Sequence, residues 1–155
     1  MAAKSLAMFR RFGKTAAGRW LFSRLVCRQA PYFSTISPLI DELAPGRCVV
    51  RIRDRRRVHN HIGTVHAIAL CNAAELAGGL ATDAAIDRTQ RWIPKGMTVR
   101  YLRKATGTLV ATASVTTPAA DAPAQDAHAR VEVRDAAGET VFDADITMWI
   151  SSHGR

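Results

Sequence analysis

The sequence predicts an α+β domain in which one buried helix lies against an antiparallel sheet, and three observations carry that expectation. Between His66 and Leu80 the chain is rich in Ala and Leu and free of proline, which marks a helix too apolar to face water on more than one side. After Gly96 apolar and polar residues alternate in successive runs, the period of half-buried strands. With 155 residues and 48% hydrophobic composition, the chain is long enough for one well-buried core and short for two ordinary domains.

The elements follow in order. From Phe12 the apolar residues Ala16, Trp20, Leu21 and Leu25 recur at helical spacing with arginines between them, predicting an amphipathic helix that Pro31 ends. Ser37 followed by Pro38 reads as an N-cap and first-turn proline, opening a short helix through Leu43. Pro45-Gly46 is a turn. Cys48, Val50 and Ile52 then alternate with Arg47, Val49, Arg51 and Arg53 as a half-buried strand. The buried helix comes next. Val99 and Tyr101 begin the strand region, and Leu109, Ala111, Ala113 and Val115 form a second run. Ala127, Ala129, Val131 and Val133 precede the turn Asp135 to Gly138, and Phe142, Ala144, Ile146, Met148 and Ile150 close the set. Thr117 to Gln125, with two prolines and several alanines, reads as a mobile connection. The predicted division is a basic helical extension over residues 1–45 and the domain proper over residues 46–152.

The formal charge of +9 raises nucleic acid or an anionic membrane as partners, so its distribution decides the matter. Residues 1–60 hold thirteen Lys and Arg against three acids, while residues 61–155 hold nine against ten. Few aromatics interleave the arginines in a base-stacking arrangement, so no nucleic-acid partner is expected. The N-terminal helix has the character of a segment lying on an anionic membrane through Phe9, Phe12, Trp20 and Phe22, although packing of its apolar stripe on the domain or a neighbouring subunit is the more ordinary arrangement. An acid-free, arginine-rich start also fits an organellar transit peptide. Trp20 to Val26, the best candidate for a membrane span, is short and broken by Arg24. Cys27, Cys48 and Cys71 share no C-x-x-C spacing, so neither a zinc knuckle nor a disulfide framework is suggested, and a reducing, cytoplasmic setting is expected.

The residues that carry chemistry cluster at the start of the buried helix. Asn60, Gly63, Thr64 and His66 form N-x-x-G-T-x-H, and Glu75 follows nine residues after the histidine. This spacing resembles the hotdog-fold acyl-CoA thioesterases of the phenylacetate-pathway type. The wider run NHIGTVHAIALCNAAELAGG, with PKGMTVRYLRKATG after it, also looks like a bacterial family of uncharacterised function described as thioesterase-like. The resemblance covers roughly Gly18 to the last strand. It implies a hotdog fold, a curved antiparallel sheet wrapped around a central helix, with subunits paired edge to edge as a homodimer or homotetramer and active sites at their interface. It implies further that the Ala67 N–H holds the thioester carbonyl oxygen, that Glu75 attacks it or activates water, and that His66, Asn60, Gly63 and Thr64 complete the site. Coenzyme A enters only as part of the substrate, and no separate cofactor is implied. The family commonly has H-G-G where this chain has His66-Ala67-Ile68, and alanine holds a ligand farther from the backbone than glycine does.

The physics of a helix start agrees with those roles, since its first N–H groups lack intrahelical partners and stabilise a developing oxyanion. A carboxylate on a buried helix, among Ala73, Ala74, Leu76 and Ala77, is poised toward neutrality and suits a general base. Ala67 and Glu75 stand eight residues apart, about 12 Å along one helix, so one thioester hardly touches both. Two antiparallel helices across a two-fold axis would bring Ala67 of one subunit to Glu75 of the other.

Plainer readings stand beside these. The alternative for Glu75, second to catalysis, is the acid of a structural salt bridge, and for Asn60 and His66 it is hydrogen bonding to the loop backbone. Cys71 reads as core packing and Asn72 as a hydrogen-bond partner. His59, His61 and His66 lack a fourth-ligand pattern, so no metal is expected. Arg55, Arg56 and Arg57 are a solvated surface or a grip on the phosphates of coenzyme A. No G-x-S-x-G elbow or Walker loop occurs. Acyl-CoA hydrolysis is the leading expectation. Enoyl-thioester hydration with His61 or His66 as base, and a non-catalytic acyl-CoA or lipid-binding module, are the alternatives.

Overall fold

In the computed structural model, which describes residues 2–152, a six-stranded antiparallel sheet carries one long helix on one face. The elements are α1 (Ala2–Phe12), α2 (Ala16–Gln29), a 3₁₀ segment (Pro31–Ile36), β1 (Leu39–Ala44), β2 (Arg47–Ile52), α3 (Ala67–Ala85), β3 (Gln90–Tyr101), β4 (Leu109–Val115), β5 (Gln125–Arg134) and β6 (Thr140–Ser152). The strand order is β1-β2-β4-β5-β6-β3. Strands joined by short turns pair directly, whereas β3, reached through α3, crosses to the far edge beside β6. Bulges in β1, β3 and at the β5–β6 pairing bend the sheet around the helix.

Alternation does what the sequence expects of it. Cys48, Val50, Ile52, Leu109, Ala111, Ala113, Ala129, Val131, Val133, Ala144, Ile146 and Met148 are buried and join one core with Leu70, Ala73, Ala74, Leu76 and Ala77 of α3. The helix can lie this close because it is lined by small residues. A Cβ at Gly79 would come within 2.9 Å of the Trp92 ring, and one at Gly78 within 2.9 Å of Ile146.

Three expectations are corrected. Ser37 to Leu43 is not a helix: Ser37 ends the 3₁₀ segment at φ 44°, and Leu39–Ala44 is strand β1. Ile40 and Leu43 are both buried although three residues apart, a helical spacing, because the β1–β2 register shifts between Ile40 and Glu42. One bulged residue thus turns a period of two into an interval of three. The sheet therefore begins before residue 46, and the expected division falls between two paired strands. Strand β3 starts at Gln90, well before Gly96, and runs through Pro94. Proline is tolerated there because β3 is an edge strand with a bulge between Pro94 and Gly96.

The N-terminal helix is also different. It breaks at Gly13–Thr15, where the Thr15 hydroxyl accepts from the Gly18 N–H at 3.0 Å and caps α2. The expected stripe of Trp20, Leu21 and Leu25 faces outward, and α2 instead buries Phe22, Ser23, Val26 and Cys27. Two contacts decide this rotation. Phe22 packs edge-on against Phe9 of α1 at 5.1 Å, and Ser23 Oγ accepts from the Ile40 N–H at 2.9 Å. That hydroxyl satisfies a buried donor that a leucine would leave unpaired.

Candidate functional site

The motif forms a tight loop closed by an antiparallel bridge between His59 and Val65. Asn60 organises it from within: its side-chain oxygen accepts from the N–H groups of Ile62 and Thr64, both at 3.1 Å, and its amide donates to Thr64 Oγ1 at 2.8 Å. Gly63 sits at φ +78°, a left-handed conformation that suits glycine. The loop is tied to its surroundings by His66 N–H to the Val58 carbonyl and by Val65 N–H to the Ala105 carbonyl, both at 2.8 Å. Asp54 adds a side-chain anchor, bonding His59 Nε2 and accepting from the Gly107 N–H at 2.7 Å. The His59 hydrogen bond first, and the Gly107 N–H second, hold the Asp54 carboxyl below the usual carboxylate range.

His66 is the N-cap of α3. Its Nδ1 accepts from the Ile68 N–H at 3.1 Å, so the imidazole carries any neutral-form proton on Nε2. The cap occupies the Ile68 N–H and leaves the Ala67 N–H with no partner among the described residues. Ala67 is half-buried, and this donor stands at the positive end of a nineteen-residue helix.

Glu75 lies two turns further along α3 and is exposed. Its alanine neighbours are buried, but they face the sheet while the carboxylate points away from it, so the desolvation expected from sequence is not supplied by the chain's own core. Among the described residues Glu75 makes no ion pair, which leaves the salt-bridge reading without a partner. Its surroundings are set by β3, which runs alongside α3. Trp92 packs at Gly79 near one end, and the Tyr101 hydroxyl lies 3.4 Å from Cys71 Sγ near the other. Glu75 falls on the helix between these contacts. The contact with Cys71, and then burial, push the Tyr101 phenol above its ordinary range.

The far side of β3 is bare. Among the described residues it pairs only with β6, and Ile93 and Tyr101 on the strand and Leu102 just past its end are exposed. Asn72, on the other flank of α3, is buried and donates to Thr35 Oγ1 at 3.0 Å. A small cavity of about 160 Å³ opens beside it, lined by Tyr32, Thr35, Arg57, His59, His66 and Asn72. Of the arginine cluster, Arg57 reaches this cavity, whereas Arg55 bonds the Ile36 carbonyl at 3.4 Å. A wider depression of about 510 Å³ on the opposite face of the sheet, lined by Arg47, Arg100, Arg130, Glu132, Asp143 and Asp145, contains none of the motif residues. No group of three His, Cys, Asp or Glu among the described residues is placed to hold a metal.

The structure thus gathers Asn60, Gly63, Thr64, His66 and Ala67 at one helix end and sets Glu75 apart, beside the edge strand β3. Tyr101 and Thr35 are the neighbours that motif reading missed. Nothing in their local sequence signals them, since each reaches α3 from a distant segment.

Solved structures place this arrangement among known folds. A structural-genomics protein, APC5556, is 42% identical and superposes with a TM-score of 0.83 over 98% of this chain and 99% of its own. PA5026 of Pseudomonas aeruginosa, described as a probable thioesterase, is 24% identical with a TM-score of 0.74, covering 84% of this chain and 93% of that one. The thioesterase HI1161 of Haemophilus influenzae is 14% identical with a TM-score of 0.72, covering 83% and 87%. No curated protein matches the sequence. The fold is the hotdog fold, with a curved antiparallel sheet around a central helix and N-terminal helices added to it. Residues 18–150 match the family described as a domain of unknown function, DUF4442, and the chain belongs to that family.

Proposed function

We propose that this protein hydrolyses acyl-CoA thioesters at sites shared between two copies paired through β3. The observation that carries the reading is the position of Glu75: exposed, without an ion pair among the described residues, and beside a long edge strand. A strand of twelve residues whose outer edge has no partner among the described residues is a template for pairing with another strand. Pairing across a two-fold axis would cover Glu75 and exclude water from around it. The likeness in fold to proteins described as thioesterases supports the same reading.

In the proposed reaction the Ala67 N–H of one subunit holds the thioester carbonyl oxygen. Glu75 of the other takes a proton from water as that water attacks the carbonyl carbon. The tetrahedral intermediate collapses, the C–S bond breaks, and the departing thiolate receives the proton that Glu75 took, leaving as coenzyme A with Glu75 ionised again. Asn60, Gly63, Thr64 and His66 hold the helix start in position, and Arg57 lies where a phosphate of the cofactor portion would be attracted.

A screen of acyl-CoA substrates with free thiol as the readout tests this. Wild type is expected to turn over at least one acyl-CoA, and Glu75→Ala to lose about 10²- to 10⁴-fold in kcat while keeping its fold. Full turnover by Glu75→Ala, or no thiol release from any substrate, would sink the proposal.

A further inference from the structure

The outward face of α2 is unlike the rest of the surface. Trp20 is 59% exposed, Leu21 41% and Leu25 36%, on one fourteen-residue helix whose opposite side is fully occupied by Phe22, Ser23, Val26 and Cys27. These three side chains are left in water although the helix has buried neighbours of the same kind. Within α1 and α2 themselves the charge has a single sign. Before Asp41 the sequence has no acid, and Lys4, Arg10, Arg11, Lys14 and Arg28 are exposed and make no ion pair among the described residues. The remaining two are committed elsewhere, Arg19 near Asp41 at 3.8 Å and Arg24 on the Pro38 carbonyl at 2.7 Å.

We propose that α1 and α2 form a docking face for an anionic lipid surface, with Trp20, Leu21 and Leu25 entering the interface and Lys4, Arg10, Arg11, Lys14 and Arg28 meeting the headgroups. Exposed Trp and Leu flanked by unpaired cations are what an interfacial helix requires: apolar area to bury, an aromatic ring at headgroup depth, and attraction to negative charge. Phe9 and Phe22, which pack on each other, take no part. The contact is peripheral, since no helix among the described residues is long and apolar enough to cross a membrane. Nucleic acid would satisfy the cations but offers the leucines nothing to bury against. The face also lies away from the proposed subunit contact, because α2 packs over β1, at the edge of the sheet opposite β3. This inference is independent of the thioesterase reading.

Cosedimentation of the full chain with phosphatidylcholine vesicles, with and without phosphatidylglycerol, tests it. Binding is expected only to the anionic vesicles and is expected to weaken as salt rises. Each of Lys14→Gln and Arg28→Gln is expected to weaken it about fivefold, and Trp20→Ser with Leu21→Ser about tenfold or more, with unchanged melting because all four side chains are exposed. Equal binding to both vesicles, no binding, or undiminished binding by the Trp20/Leu21 variant would overturn the proposal. So would a fall in oligomeric state of that variant, which makes the face a subunit contact, or retention on DNA without retention on vesicles.

Discussion

The two edges of the sheet are treated in opposite ways. At one edge β1 is short and bulged, joined to β2 by the Arg51–Asp41 pair at 2.7 Å and the Arg47–Glu42 pair at 2.9 Å, and roofed by α2. At the other, β3 runs for twelve residues with no strand beyond it among the described residues, and Ile93 and Tyr101 on it are exposed. Strand edges left open invite association, and natural proteins blunt those that must stay single. The chain uses its own N-terminal residues to close one edge and leaves open the edge that lies beside Glu75. The closed edge serves the monomer, and the open one would serve the proposed pairing.

Several substitutions would break or sharpen that contrast. Removing the ring that seats the α2 roof has the largest effect expected on stability. Phe22 is fully buried, so Phe22→Ala should cost about 3–5 kcal/mol in denaturant unfolding, with the oligomeric state of the folded fraction unchanged. A change of oligomeric state instead would mean that the roofed edge also serves association.

Charge on the open edge should do the reverse. Ile93→Lys is expected to weaken self-association by about 2 kcal/mol in sedimentation equilibrium, with activity falling in step and the unfolding free energy of the monomer nearly unchanged. A variant that dissociates yet hydrolyses acyl-CoA at the wild-type rate would refute the shared site.

The motif loop, between the two edges, answers to pH. Asp54 titrates below its unfolded value, so its contribution to stability is complete above the ordinary carboxylate range and is lost as pH falls through the depressed folded value. Asp54→Asn should flatten the acid limb of a melting-temperature profile; an unaltered limb would show that the His59 and Gly107 contacts contribute nothing. Smallest of all is the ion pair at the closed edge. Arg51→Met should change stability by about 1 kcal/mol or less, since the pair is partly exposed and salt screens it.

Much of this organisation is legible in the sequence where local pattern and tertiary environment agree. The alternation in β4, β5 and β6 buries one face of each strand and therefore reads directly. The polar motif at the start of α3 reads because its partners are local: Asn60 bonds Ile62 and Thr64, and His66 bonds Ile68. Residues 37–43 misled because a bulge altered the side-chain period, and α2 because its outward face is as apolar as its buried one.

The sequence by itself determined the α+β class, the buried helix and its small-residue lining, the C-terminal strands and the loop that presents Ala67. Each depends on residues within a few positions of one another, so spacing carries the information. Only the tertiary structure decided which face of α2 is buried, that β1 belongs to the sheet, that β3 is an open edge, and that Glu75 stands beside it in water. Those features depend on contacts such as Phe9 with Phe22, Ser23 with Ile40 and Cys71 with Tyr101, which join residues distant in the chain and leave no periodic trace in it.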